Sequence, residues 1–118
     1  MLTDIYFDFT EAQQRKTKET IDVDDEGVTI IGEKIRARIK WTEIWELNVY
    51  KKDFATFDRV ELDIVYGDKT LTVNEDVKGW TEFVEKIKQV FPTMPEKWEA
   101  EVVHQPFVTN FTTIYQRV

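Results

Sequence analysis

Apolar and polar residues alternate along much of this chain, and the rhythm changes once. Val60, Leu62, Ile64 and Tyr66 alternate with Glu61, Asp63 and Val65; beyond Gly67-Asp68, Leu71 and Val73 alternate with Thr70 and Thr72. Period two on both sides of a Gly-X pair predicts a β-hairpin with a primed turn. Upstream, Ile35, Ala37, Ile39 and Trp41 alternate with Arg36, Arg38 and Lys40, which reads as a strand with one wet, basic face. Trp45, Leu47 and Val49 alternate with Glu46, Asn48 and Tyr50, and Trp41 to Ile44 reads as a short break where the chain changes direction. Further back, "KTKETIDV" leads into "DDEG" and then Val28 to Ile31, a second hairpin.

After Val73 the period becomes helical. Trp80, Phe83, Val84, Ile87 and Phe91 fall at i, i+3, i+4, i+7 and i+11, which predicts an amphipathic helix over about residues 77–91. Asp76 is placed to cap its start, Glu75 suits the positive end of its dipole, and Pro92 ends it. Beyond Pro95, "WEAEVVHQPFVTNFTTIYQRV" is rich in β-branched and aromatic residues and reads as one or two extended segments packed back on the sheet. In the first residues, Leu2, Ile5, Phe7 and Phe9 suit a strand, while "EAQQRKTKE" accepts a helical turn.

Strands joined by short turns pair antiparallel, because parallel pairing needs a crossover. The expected class is therefore α+β, mainly β: a strongly bent antiparallel sheet or partly open barrel, covered by the apolar stripe of one helix. The expected layout is a single domain over 1–118, with an N-terminal extension at 1–14, a core of sheet and helix at 15–91 and an extended tail at 92–118.

Composition narrows the function classes. The 118 residues suit one domain able to bury a core without disulfides or metal. There are 23 acidic and 16 basic side chains, for a formal net charge of -7. Such a surface repels phosphate backbones and anionic lipid, so nucleic acid and membrane lose ground as partners and a basic protein gains. The chain has no cysteine, which removes thiolate nucleophiles and Cys-ligated zinc. The opening segment lacks the basic and apolar regions of a secretion signal, and no apolar run approaches the ~20 residues that span a bilayer. The expected location is cytoplasmic, and the Asn110 to Thr112 glycosylation sequon reads as a chance match.

Three local patterns invite chemistry. Asp22, Asp24, Glu26, Gly27 and Glu33 fall at positions 1, 3, 5, 6 and 12 of an EF-hand calcium loop. Position 5 is Glu rather than Asp or Asn, position 8 is Thr29 rather than an aliphatic residue, and the flanks read as strands rather than helices, so a solvated hairpin turn is the expected role. His104 is the single histidine, and its neighbours offer no nucleophile or carboxylate in a known arrangement. Asn74, Glu75 and Asp76 sit at the strand-to-helix junction, where capping is expected. There is no serine and no glycine-rich phosphate loop. The reading is of a non-enzyme, without a cofactor and without a metal site.

"TIDVDDEGVTI", "IKWTEIWELNVYKKD", a hairpin and "NEDVKGWTEFVEKIKQVF" together resemble bacterial pleckstrin-homology-like (PH/GRAM-like) domains. "NED", the "GW" pair and "FVTNFTTIY" are similar to a group of small uncharacterised bacterial proteins of this type. The resemblance spans roughly residues 15–115. It implies a bent antiparallel sheet capped by a helix, and a fold that hosts many binding functions. In such a domain the Arg36, Arg38, Lys40 stripe would face a phosphoinositide head group. The acidic balance, and the acidic side chains of Asp22 or Asp24 across the sheet, favour a solvated, paired face instead.

Phe54 and Phe57 break the pattern. They interrupt the alternation in "KKDFATFDR" and stand among Lys52, Asp53, Asp58 and Arg59, so they are the candidate binding residues. The competing role for both rings is to close the end of the sheet. The function expected is a non-catalytic bacterial protein-interaction module. The alternatives are an inhibitor or immunity-like protein that binds a basic partner, a small homodimeric structural protein and, last, a carboxylate-dependent enzyme.

Overall fold

The computed structural model describes residues 19–103 and 111–117. The N-terminal extension at 1–14 and His104 lie outside the described residues. Strands β1 (Thr20–Val23), β2 (Gly27–Ile31) and β3 (Arg36–Lys40) form one antiparallel sheet in the order β1-β2-β3. Strands β4 (Ile44–Asp53), β5 (Asp58–Tyr66), β6 (Lys69–Asn74) and β7 (Thr112–Gln116) form a second, in the order β6-β5-β4-β7. Helices α1 (Trp80–Val90) and α2 (Trp98–Val103) separate β6 from β7.

The mainly β fold with its covering helix is the class the alternation predicts. Its strands do not close into a barrel, because they are divided between two sheets. The division falls at the predicted break, a single 3-10 turn over Trp41–Glu43. Glu43 folds back there, and its carboxylate accepts the Lys40 N–H at 2.8 Å. Arg117, just past β7, donates through its guanidinium to the carbonyls of Thr42 and Ile44, which ties the end of the chain to this corner.

The core lies between the two sheets and α1. Val28, Ile30 and Ile39 come from the first sheet; Leu47, Val49, Leu62, Ile64 and Val73 come from the second. Helix α1 adds Phe83, Val84 and Ile87 from the predicted stripe, and Phe91 follows from the residue after it. The β5–β6 hairpin turns at Gly67, whose φ of 58° is the left-handed conformation a primed turn demands.

Three local expectations are corrected. Helix α1 starts at Trp80 and is capped by Gly79 rather than Asp76. Gly79 has φ 95°, and a Cβ there would stand 2.0 Å from the Ile21 carbonyl oxygen, so close passage of β1 dictates the residue. Asp76 instead gives its N–H to Asn74 Oδ1 at 2.9 Å. Next, the tail from 92 is not wholly extended, since Trp98–Val103 is helical. Trp98 and Val102, one turn apart, bury together, and that burial outweighs the strand propensity of the residues around them. Third, Trp45 is not in phase with Leu47 and Val49. Ile44 pairs with Tyr66 and Glu46 with Val65, so Trp45 is the extra residue of a bulge. It is 38% exposed, and its indole N–H donates to the Gly67 carbonyl at 3.0 Å.

Candidate functional site

The β4–β5 hairpin carries both aromatic candidates at its tip. Asp53 and Asp58 form the last strand pair, and the Phe54 N–H donates to the Phe57 carbonyl at 2.9 Å. Asp53 Oδ1 accepts the Ala55 N–H at 2.8 Å, a side-chain turn that supports the loop from within. Ala55 has φ 74°, left-handed for a residue with a Cβ, which costs on the order of 1 kcal/mol. Strain of this kind persists where the surroundings hold it.

Besides the Asp53 bond, the Thr56 N–H donates to the Phe54 carbonyl at 2.8 Å across Ala55. Phe54 and Phe57 stack with centroids 4.9 Å apart and planes 15° off parallel. The Arg59 guanidinium lies 4.7 Å from the Phe54 centroid and Lys52 Nζ 5.7 Å from it, both within cation–π range. Phe54 is half-buried by these contacts, whereas Phe57 remains 54% exposed. The structure therefore brings the two predicted residues together as one stacked aromatic pair at a sheet end.

The pair leans over the outer face of the four-stranded sheet. Side chains alternate along β4 and β5, so Leu47, Val49, Leu62 and Ile64 face the core while Asn48, Tyr50, Glu61 and Asp63 face away from it. On that outer face Arg59 Nε donates to Glu61 Oε2 at 2.7 Å. Glu61 is buried, and its burial raises its carboxyl pKa above the ordinary value, with Arg59 opposing the shift. Asp63 Oδ1 accepts both the Tyr50 hydroxyl, at 3.1 Å, and the Thr72 hydroxyl, at 2.6 Å. Burial, followed by the Asp63 charge, pushes the Tyr50 phenol up to about 12. Beside them, Asn48 donates to Glu46 at 2.8 Å and accepts from Thr113 at 2.7 Å.

Phe111 completes this face, and no pattern in the sequence singles it out. It stacks on Tyr50 at 5.7 Å and is 62% exposed. Alternation places Tyr50 and Asp63 on outward positions, but only the pairing of β7 with β4 brings Phe111 there.

The other candidates resolve into local structure. Asp24 of the calcium-like pattern accepts the N–H groups of Glu26 and Gly27 at 2.8 and 3.0 Å through Oδ1. Both its oxygens take a bidentate grip from Arg38, each at 3.0 Å. The Arg38 hydrogen bond, with those backbone N–H groups, lowers the Asp24 carboxyl to about 2. Arg38 of the basic stripe is thus paired across the sheet. Among the described residues, no group of three or more His, Asp or Glu side chains is placed to hold a metal ion. At the strand-to-helix junction Glu75 Oε2 accepts the Val60 N–H at 2.8 Å, and Asn74 serves Asp76 as above. Among the described residues, no helix is long and apolar enough to cross a membrane.

No family model matches this chain, and neither a curated protein nor a solved structure does.

Proposed function

We propose that this chain is a non-catalytic protein-interaction module, pleckstrin-homology-like in kind and cytoplasmic, that grips its partner through the β4–β5 hairpin. The observation that carries the reading is Phe57: a large ring 54% exposed and stacked on Phe54 with centroids 4.9 Å apart. Desolvated aromatics anchor interfaces, and burying such a ring stabilises an association by about 1.5–3 kcal/mol. Phe57 is pre-stacked on Phe54, the ring that Arg59 and Lys52 approach, and a pre-stacked ring loses less rotamer freedom on docking. The left-handed Ala55 at the loop tip supports the same reading, because backbone strain clusters at binding loops. Two packed antiparallel layers and an amphipathic helix support the pleckstrin-like part of the proposal.

The test is the double substitution Phe54→Ser, Phe57→Ser, followed by thermal unfolding beside an association assay. The expected result is a fold largely intact and a loss of self-association or partner capture. A loss of several kcal/mol in stability, with association unchanged in the folded fraction, would assign the rings to the core.

A further inference from the structure

An open sheet has edges, and this chain guards most of its own. Natural sheets protect an edge with charge, a bulge or a covering segment, because bare N–H and C=O groups there pair readily with another strand. Thr20 of β1 bridges Lys78, and the Ile21 N–H donates to the Lys78 carbonyl at 2.8 Å, so that edge is covered. Strand β3 carries Arg36, Arg38 and Lys40, and the Glu43 carboxylate takes the Lys40 N–H. Strand β7 is short and pairs with β4 through a register shift. Strand β6 has no such guard along its middle. Thr70, Leu71, Thr72 and Val73 are uncharged, and the register with β5 runs without a shift.

Pairing fixes which groups of β6 are bare. The Glu75 N–H donates to the Val60 carbonyl at 3.1 Å. Bonded pairs alternate along an antiparallel ladder, so Val73, Leu71 and Lys69 turn their backbone groups to β5. Those of Thr70 and Thr72 point away from the sheet. Both residues are exposed, and among the described residues nothing bonds these backbone groups.

The side chains beside this edge select what pairs with it. On the outer face Asp63 lies behind Thr72, whose hydroxyl it accepts at 2.6 Å. Asp68 stands exposed at the turn and Glu75 exposed at the far end. Arg59 approaches Asp76 at 3.9 Å and bonds Glu61, so those two carboxylates are already matched. Lys69 opposes the rest from the strand itself, while Lys78 sits against β1. Asp63, Asp68 and Glu75 thus outweigh Lys69, and the net charge of -7 favours a cationic partner at longer range. On the other face, half-buried Leu71 and buried Val73 carry the core out to the edge.

We infer that β6 is a docking edge, where an extended segment of a basic partner protein joins the four-stranded sheet as a fifth strand, bonded to the backbone of Thr70 and Thr72. Side chains alternate on such a strand, so the segment sets lysine or arginine on the outer face near Asp63 and apolar residues on the face of Leu71. Main-chain bonds supply the affinity and the alternation supplies the selectivity. This surface is separate from the tip of the β4–β5 hairpin and does not depend on the reading of that tip.

The experiment titrates the isotope-labelled full chain with a short synthetic peptide of alternating lysine and valine, read by backbone amide shifts. A second peptide of the same sequence is methylated on its backbone nitrogens, which keeps the charge and removes the donors. The Thr70 and Thr72 amides should shift saturably with the first peptide and hold still with the second. Thr70→Pro removes an outward N–H and no bond to β5, and it should weaken binding at least about tenfold. Asp68→Lys, at an exposed position, should weaken it as well. Melting curves check the fold; where Thr70→Pro does not fold, the two peptides on the parent chain and Asp68→Lys carry the test. Shifts scattered over the acidic surface, equal responses to the two peptides, or a folded Thr70→Pro variant that binds like the parent overturn the inference. Shifts of the same two amides on concentrating the chain alone also overturn it, because the strand at the edge is then a second copy. The folded Phe54→Ser, Phe57→Ser variant should take the first peptide like the parent, which separates a failure of this inference from a failure of the hairpin reading.

Discussion

Arg59 joins two features of the outer face: its guanidinium lies 4.7 Å from the Phe54 ring centre, and its Nε bonds the buried Glu61 carboxylate at 2.7 Å. Arg59→Ala removes the support of the ring and leaves a buried carboxylate without its cation. The expected loss is about 3 kcal/mol in denaturant unfolding at neutral pH. Glu61 already has a raised carboxyl pKa in the folded chain, and losing Arg59 raises it further. A group raised in this way contributes stability that is present below its unfolded value and lost as pH rises through the folded value. The deficit of Arg59→Ala should therefore shrink as the pH falls toward about 4, the ordinary range for Glu. A deficit that does not change with pH would mean that Glu61 is not the group left exposed to the loss.

Asp24 shifts the opposite way. Its carboxyl is lowered from 3.8 to about 2, chiefly by the Arg38 hydrogen bond. A lowered group contributes stability above its unfolded value, and that contribution is lost as pH falls through the folded one. Unfolding curves between about pH 5 and pH 2 should show this loss in the parent chain. Asp24→Asn keeps an oxygen for the Glu26 and Gly27 amides, yet it should flatten that part of the profile. Unchanged slopes in the two proteins would remove the Arg38 pairing from the account.

The buried stripe of α1 gives a stability contrast. Ile87 is fully buried, so Ile87→Ala should cost about 2–5 kcal/mol. Its neighbour Lys88 points away from the core and pairs with Glu99 at 2.7 Å. Lys88→Ala should then cost about 0–1 kcal/mol, as surface ion pairs do. Similar costs at the two positions would place the wrong face against the sheets.

The parts of this fold that were legible are those where one period runs uninterrupted. Gly67 between two alternating runs announces the β5–β6 hairpin, and Phe83, Val84 and Ile87 announce the inner face of α1. Trp45 was misread because a bulge inserts one residue and shifts the phase, while composition gives no sign of it. Gly79 displaced Asp76 as the helix cap because β1 passes close to it, a fact of tertiary structure alone. Helix α2 has only six residues, too few for a helical period to show through β-branched and aromatic neighbours. At the site, Phe54 and Phe57 stood out because they break an alternation. Phe111, Tyr50 and Asp63 did not, since their meeting depends on the registers of β7 and β5 against β4.

The central proposal is that the β4–β5 hairpin tip, with Phe57 exposed on its stack against Phe54, is where this chain docks a partner. Pull-down from the source cell beside sedimentation, with the parent chain and the folded Phe54→Ser, Phe57→Ser variant, tests it most directly. The parent should capture a partner, or associate with itself, and the variant should lose that association. Equal association by the two folded proteins would contradict it.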